Sequence, residues 1–188
     1  MEAKILNKRV VITGFRGVKV DVDRLFKEIR RRINGETHIQ IFNAKFIAGY
    51  EHLYFAVLNA LTAFKNGFNI SKNLAMEVLL FASAQTQINK AIETLGVKPD
   101  VSEVAVVIIS DSKDGAEVAL RVVSELLSGE RSDSVLELNE DKVKAIRELF
   151  SITDPEIEAV SERLGEGGVE EAVTRLIIER VALLPTQR

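Results

Sequence analysis

The chain has 188 residues, of which 46% are hydrophobic and 28% charged, and it contains no cysteine. This length suits a single compact domain, and the composition excludes a disordered tail, a disulfide framework and any thiolate site. The net charge of -3 hides an asymmetry, because residues 1–98 carry 15 basic against 8 acidic side chains, while residues 99–188 carry 10 against 20. A polyanion would therefore meet the N-terminal half, unless the charges interleave in the folded chain. No apolar run reaches the roughly 20 residues of a membrane-spanning helix, so we expect a cytoplasmic protein.

Hydrophobic periodicity divides the first two thirds of the chain into strands and helices. Asp21 is expected to cap the first helix, and Ile39 and Ile41 are expected on one face of the second strand with Gln40 between them. The run at 104–109 is wholly β-branched or small, which is typical of a central strand covered on both faces. The elements are expected at 8–15 (strand), 22–33 (helix), 37–46 (strand), 51–66, 72–82 and 88–95 (helices), 104–109 (strand), 114–127 (helix) and 134–138 (a short edge strand).

After Asn139 every hydrophobic pattern is helical. Residues 153–156 (Thr-Asp-Pro-Glu) form a Ser/Thr-x-x-Glu capping box with a proline in the first turn, so a helix is expected to begin there. Glycines at 165–168 are expected to break that helix. A last helix is expected over 169–184, because Pro185 stops it.

Together these elements predict an α/β (α+β-like) fold. A small mixed sheet of about four strands is flanked by helices and followed by an all-helical C-terminal cap. We expect one domain over residues 1–188, with the sheet and its helices at 1–138 and the helical part at 139–188.

Candidate catalytic motifs are few, and neither a cofactor nor a metal site is expected. The two histidines, His38 and His52, have no cysteine or third histidine to complete a metal site. The glycines within 13–17 are too few for a phosphate-binding loop, so we interpret them as a plain turn. Asp111 and Asp114 follow the buried strand, where α/β enzymes bind ligands, and a metal between them would give a small metal-dependent phosphotransferase. Asp114 is equally explained as a helix N-cap.

A group of lysine and amide side chains lies beside apolar positions between residues 65 and 90. This combination suits single-stranded nucleic acid, because amides bond to bases and cations neutralise phosphates. The candidate residues are Lys65, Lys72, Asn73, Gln85, Gln87 and Lys90.

The last helix carries more apolar surface than one neighbour is expected to cover. At about 100° per residue, its apolar side chains fill a wide arc, with Arg180 inside the arc and Ile178 on the opposite side. Because burying each such side chain is worth about 1.5–3 kcal/mol, we expect a partner groove. A helix sunk between two layers of its own domain and a homodimer are the alternatives. The residues expected to contact a partner are Val169, Val173, Leu176, Ile177, Arg180, Val181 and Leu184.

Several strings, taken in order, resemble the kinase-binding subunit of the KEOPS (EKC) complex, known as the CGI or PRPK-binding protein family, and most closely its archaeal members. The resemblance covers the whole chain. The family usually has Arg-Gln-Ile where this chain has Thr86-Gln87-Ile88, so a phosphate contact by that arginine is not expected. The strings are 48–53 (AGYEHL), 71–77 (SKNLAME), 82–88 (ASAQTQI), 104–110 (VAVVIIS), 149–152 (LFSI) and 179–184 (ERVALL).

The resemblance implies a non-enzymatic subunit that binds the N-lobe of the small atypical kinase/ATPase of KEOPS and regulates it. That complex carries out N6-threonylcarbamoylation of adenosine 37 in tRNA, with the transferase on a separate subunit that this chain would meet indirectly. Family members are also implicated in holding the single-stranded CCA 3′ end of tRNA. Carried onto this chain, the kinase surface would centre on the last helix and the tRNA surface on residues 65–90.

Overall fold

A computed structural model describes residues 1–19, 21–33, 35–164 and 168–187. Short 3-10 helices lie at Ala44–Phe46, Asp133–Leu136 and Leu184–Gln187. The strands are β1 (Glu2–Ile5), β2 (Lys8–Arg16), β3 (Thr37–Asn43), β4 (Glu103–Ser110) and β5 (Glu130–Arg131). The helices are α1 (Val22–Arg32), α2 (Gly49–Asn66), α3 (Leu74–Ser83), α4 (Ile88–Leu95), α5 (Lys113–Leu127), α6 (Glu140–Phe150), α7 (Asp154–Leu164) and α8 (Val169–Leu183).

The strands form one sheet in the order β1-β2-β4-β3, and β5 also pairs with β2. The predicted fold class is confirmed, although the sheet has five strands and every pairing between the described strands is antiparallel rather than mixed. The helices between β3 and β4 bring the chain back to the end of the sheet at which β3 finished. β4 therefore runs antiparallel to β3. β1 and β5 have only four and two residues, too few for a clear periodicity.

Each face of the sheet has its own apolar core. Ile39 and Ile41 pack with α1 and α5 on one face, as their alternation predicts, while Phe42 packs with α2, α3 and α8 on the other. Residues 104–109 are buried on both faces, which confirms the predicted central strand.

The strand predicted at 134–138 is wrong, because this segment forms a 3-10 helix packed on β2. Gly14 permits the approach: a Cβ there would lie 2.1 Å from Val135 Cγ2 and 2.6 Å from the Ser132 carbonyl oxygen. The interpretation of Gly14 as part of a plain turn is therefore also wrong. It lies inside β2, where the missing side chain makes room for a neighbouring segment.

Local capping signals set several helix starts. Asp21 accepts a hydrogen bond from the Arg24 amide at 3.0 Å, which confirms the predicted cap of α1. α5 is capped by Ser112 rather than Asp114, because the Ser112 hydroxyl accepts the Gly115 amide at 3.0 Å. The Glu156 carboxylate accepts the Thr153 amide at 2.7 Å, the reach-back bond of a capping box. Most of the break predicted at 165–168 lies outside the described residues.

Candidate binding surfaces

The apolar arc of α8 is covered by the chain itself. Val173, Ile177, Val181 and Leu184 are fully buried, and Leu176 is nearly so. α8 contacts α2, α3, α6 and α7, so four helices surround the arc. These five residues therefore do not form an accessible docking surface, and the alternative of a helix sunk within its own domain holds for them. The sequence could show that this face is buried, but not against which element.

Arg180 finds its partner within the same chain. Its guanidinium donates to Glu156 Oε1 on α7 at 2.9 Å and to the Leu176 carbonyl at 3.4 Å, and 24% of the side chain is exposed. Hydrogen bonds from the Thr153 amide and hydroxyl, followed by the contact with Arg180, lower the pKa of Glu156. The cation within the apolar arc thus joins α8 to the first turn of α7.

The side of α8 that faces solvent retains apolar residues. We define the outer face of α8 as Ile178, Ala182 and Leu183, of which Ile178 is half-buried and Leu183 is 45% exposed. Val169, at the other end of the helix, is 49% exposed and borders a groove of about 1020 Å³ between α6 and α8. Of the residues predicted to contact a partner, only Val169 and Arg180 keep accessible surface. Ile178, opposite the arc in the sequence pattern, was the available signal for the outer face.

Four of the six residues predicted to bind nucleic acid are divided between the two ends of α3. Lys72 and Asn73 are at its start, where Asn73 Oδ1 caps the helix through the Met76 amide at 3.1 Å. Gln85 and Gln87 follow its end, and Gln87 is the N-cap residue of α4. Asn73 therefore has a structural role as well as exposed surface.

The three lysines of this group all extend into solvent. Lys65 is in the last turn of α2 and Lys90 is on α4. Within the described ranges, neither these two nor Lys72 forms an ion pair. Their charges are thus available to an external anion.

A buried carboxylate organises the loop that carries Lys72. Both Glu77 oxygens accept the Ile70 amide at 3.0 Å, and Oε2 also accepts the Ser71 amide at 2.7 Å. Glu77 is fully buried. Its role could not be read from periodicity, which places it only on an apolar helix.

The candidate phosphotransferase residues occupy ordinary structural positions. Asp111 forms an ion pair with Lys8, and Asp114 lies in the first turn of α5. Among the residues with described positions, no group of three His, Asp or Glu side chains could hold a metal ion. No specific observation favours the phosphotransferase alternative.

The two histidines differ in environment. His52 is fully buried. Its Nδ1 accepts a hydrogen bond from the Ala48 amide at 3.1 Å, so the proton is on Nε2, which donates to the Ala82 carbonyl at 2.8 Å. Burial lowers its pKa to about 4, and the charge of Lys142 acts in the same direction. Burial also lowers the pKa of the half-buried His38, with a smaller effect of Lys8 in the same direction.

This chain is similar to a known protein family and to an archaeal protein. The family model described as "Kinase binding protein CGI-121" matches residues 15–184. The "Regulatory protein Cgi121" of Methanocaldococcus jannaschii is 33% identical over 179 residues, which cover 95% of this chain and 99% of that protein. In the described part of the chain, no helix is both long and apolar enough to cross a membrane.

Proposed function

This chain belongs to the CGI-121 family of kinase-binding proteins, and on that premise we propose that it is the non-catalytic subunit that binds and regulates the small kinase/ATPase of a KEOPS complex. The observation that carries the proposal is the family match across residues 15–184. The family is described as kinase-binding and the Methanocaldococcus jannaschii relative as regulatory, and neither name includes a catalytic activity.

The outer face of α8 is the docking surface that we propose. The buried arc is unavailable, whereas Ile178, Ala182 and Leu183 present apolar atoms to solvent near the end of the helix. A kinase lobe that covers this face would bury aliphatic side chains worth about 1.5–3 kcal/mol each. Arg175 and Glu179 project from the same side of the helix, at about 100° per residue, so polar contacts would lie within such an interface as well as around it.

Charged substitutions on the outer face test this docking surface. Ile178→Asp and Leu183→Asp are expected to weaken binding to the KEOPS kinase at least about tenfold by titration calorimetry, because about 1.4 kcal/mol corresponds to tenfold in Kd. Val118→Asp is the matched control, because Val118 is 40% exposed but lies on α5, across the sheet. The thermal unfolding midpoints of all three variants are compared with that of the wild type, and a difference of no more than a few degrees shows that each variant is folded. Wild-type affinity in both outer-face variants would refute this surface.

The second part of the proposal is that the complex uses this subunit to hold the single-stranded CCA 3′ end of tRNA during N6-threonylcarbamoylation of adenosine 37. The support is the set of unpaired lysines Lys65, Lys72 and Lys90 in the basic half of the chain. The amides of Asn73 and Gln85 lie at the start and after the end of α3. Gln87 completes the set at the start of α4.

Charge reversal tests the tRNA surface. Lys72→Glu and Lys90→Glu are expected to weaken tRNA binding, and each lost phosphate contact is expected to reduce the salt dependence of log K by about 0.7–0.9. Lys113→Glu, on the first turn of α5, is the control for net charge. Removing the CCA end is expected to reduce wild-type binding. Equal binding of trimmed and intact tRNA would refute the CCA assignment, whatever the outcome with the kinase.

A further inference from the structure

The outer edge of β3 lies at the bottom of an open groove. β3 is the last strand of the sheet, and its five consecutive residues 37–41 all line a groove of about 750 Å³. Consecutive side chains of a strand point to opposite faces, so a run of neighbours lining one groove means that the strand edge itself is its floor. α1 forms one wall, and α3 and α4 form the other.

The backbone groups on this edge have no partner across the groove. Outside the β3–β4 ladder, no described residue forms a backbone hydrogen bond with 38–40. The contact between Phe42 and Gly96 closes one end and leaves a free stretch of about 17 Å, at about 3.4 Å per residue. Natural sheets usually protect such edges, so an open one is a template for another strand.

One side chain in the groove offers a further hydrogen-bond acceptor. Gln40 is buried and donates from Nε2 to the Ile41 carbonyl at 3.0 Å, but its Oε1 accepts no hydrogen bond from any described residue. This oxygen is not one of the fully buried unpaired atoms of the described residues, so it is open to a donor in the groove. A ligand that brings hydrogen-bond donors along β3 would supply the partner.

The walls define the remaining chemistry of the occupant. They present apolar side chains, including the half-buried Phe26 and Met76 and the 44% exposed Ile92. Arg30, also on the wall, donates to the Phe26 carbonyl at 3.2 Å and pairs with no carboxylate in the described part of the chain. Asp23 is the acidic side chain of the same wall, about two helical turns away.

We propose that this groove binds an extended peptide segment of a partner protein, of about five residues, which adds to the sheet along β3. Its backbone amides and carbonyls pair with residues 38–40, its apolar side chains pack on the α1 and α4 walls, and an acidic side chain meets Arg30. This is strand addition at a sheet edge, and it goes beyond the kinase contact on the outer face of α8.

Amide hydrogen exchange on the full chain tests the proposal. The probe is a pool of blocked pentapeptides with valine, isoleucine or leucine at alternate positions and glutamate at one end. At about ten times the Kd, the pool is expected to slow exchange of the edge amides within 38–40 about tenfold. The same pool with N-methylated backbone is expected to give no protection, because it retains the side chains but lacks the N–H donors.

Two matched pairs of variants locate the site. Ile92→Glu is expected to abolish the protection, whereas Ile88→Glu retains it, because Ile88 is 40% exposed on the same helix but does not line the groove. Arg30→Glu is expected to weaken binding about tenfold, and Arg24→Glu, on the same helix outside the groove, to leave it unchanged.

The proposal is overturned if the edge amides gain no protection from the pool, or gain it equally from the N-methylated pool. A short single-stranded oligonucleotide is tested in parallel. If the oligonucleotide protects 38–40 and the peptides do not, the groove is a nucleic-acid site and the peptide proposal fails. Kinase binding by the same samples is expected to be unaffected by Ile92→Glu, which separates this proposal from the one on α8.

Discussion

Mild acid is expected to destabilise this protein through a single buried side chain, His52. The imidazole joins the start of α2 to the end of α3, accepting the Ala48 amide at Nδ1 and donating to the Ala82 carbonyl from Nε2. Protonation would place a second N–H against the Ala48 amide and a charge in an apolar core. Phe150 packs edge-on to the ring, with the ring centroids 6.2 Å apart, so an apolar side chain faces that side of the imidazole.

The magnitude follows from the pKa of His52, which burial lowers from 6.5 to about 4. The folded state has the lower pKa, so the unfolded chain takes up the proton first as the pH falls. The stability is therefore complete above pH 6.5 and decreases between pH 6.5 and 4. At about 1.36 kcal/mol per pKa unit, this loss is about 2 kcal/mol at pH 5 and approaches about 3 kcal/mol near pH 4.

Urea unfolding at pH 7.5 and 5.0 measures this loss. His52→Gln is expected to be less stable than wild type at pH 7.5 by about 1–3 kcal/mol, since one amide cannot reproduce both hydrogen bonds. Its further loss on going to pH 5.0 is expected to be smaller than that of wild type by about 2 kcal/mol. His38→Gln is the control and is expected to keep most of the wild-type pH dependence.

The two imidazoles can also be titrated directly by NMR, because the chain has only two histidines. A His52 ring that titrates near 6.5 in the folded protein would refute the reasoning. Equal losses of stability in wild type and His52→Gln would refute it as well.

Three further substitutions test the packing. Gly14→Ala is expected to lower the free energy of unfolding by about 1–3 kcal/mol, because the new methyl group would collide with Val135. Gly35→Ala is the control, because a methyl group there meets open space, and equal urea midpoints for the two variants would contradict the expected collision. Glu77→Ala is expected to lower stability by about 3 kcal/mol and to speed exchange of the amides it binds, and unchanged exchange rates would count against its role. Arg180→Leu is expected to change the unfolding free energy by no more than about 1 kcal/mol, because its ion pair is partly exposed, and a larger loss would mean that the pair is more than a surface contact.

Local sequence signals determined most of the secondary structure. The β-branched run at 104–109 specified a strand buried on both faces. In the neighbouring strand β3, the alternation around Gln40 specified that Ile39 and Ile41 share the face that packs on α1 and α5. The caps at Asp21 and Glu156 were also readable, because a cap depends on residues within one turn. The ordered strings that resemble the kinase-binding family carried the functional class, which the family match then supported.

Long-range packing decided the features that periodicity could not reach. An apolar stripe on α8 requires burial, but only the fold shows that α2 and its neighbouring helices supply it and leave Ile178 and Leu183 outside. Likewise, no local pattern distinguishes the open edge of β3 from its paired edge, since backbone groups of alternate residues point to either side of every strand. The hydrophobic pattern of a segment predicts which of its faces is buried. The element that covers this face is determined by contacts between residues far apart in the chain.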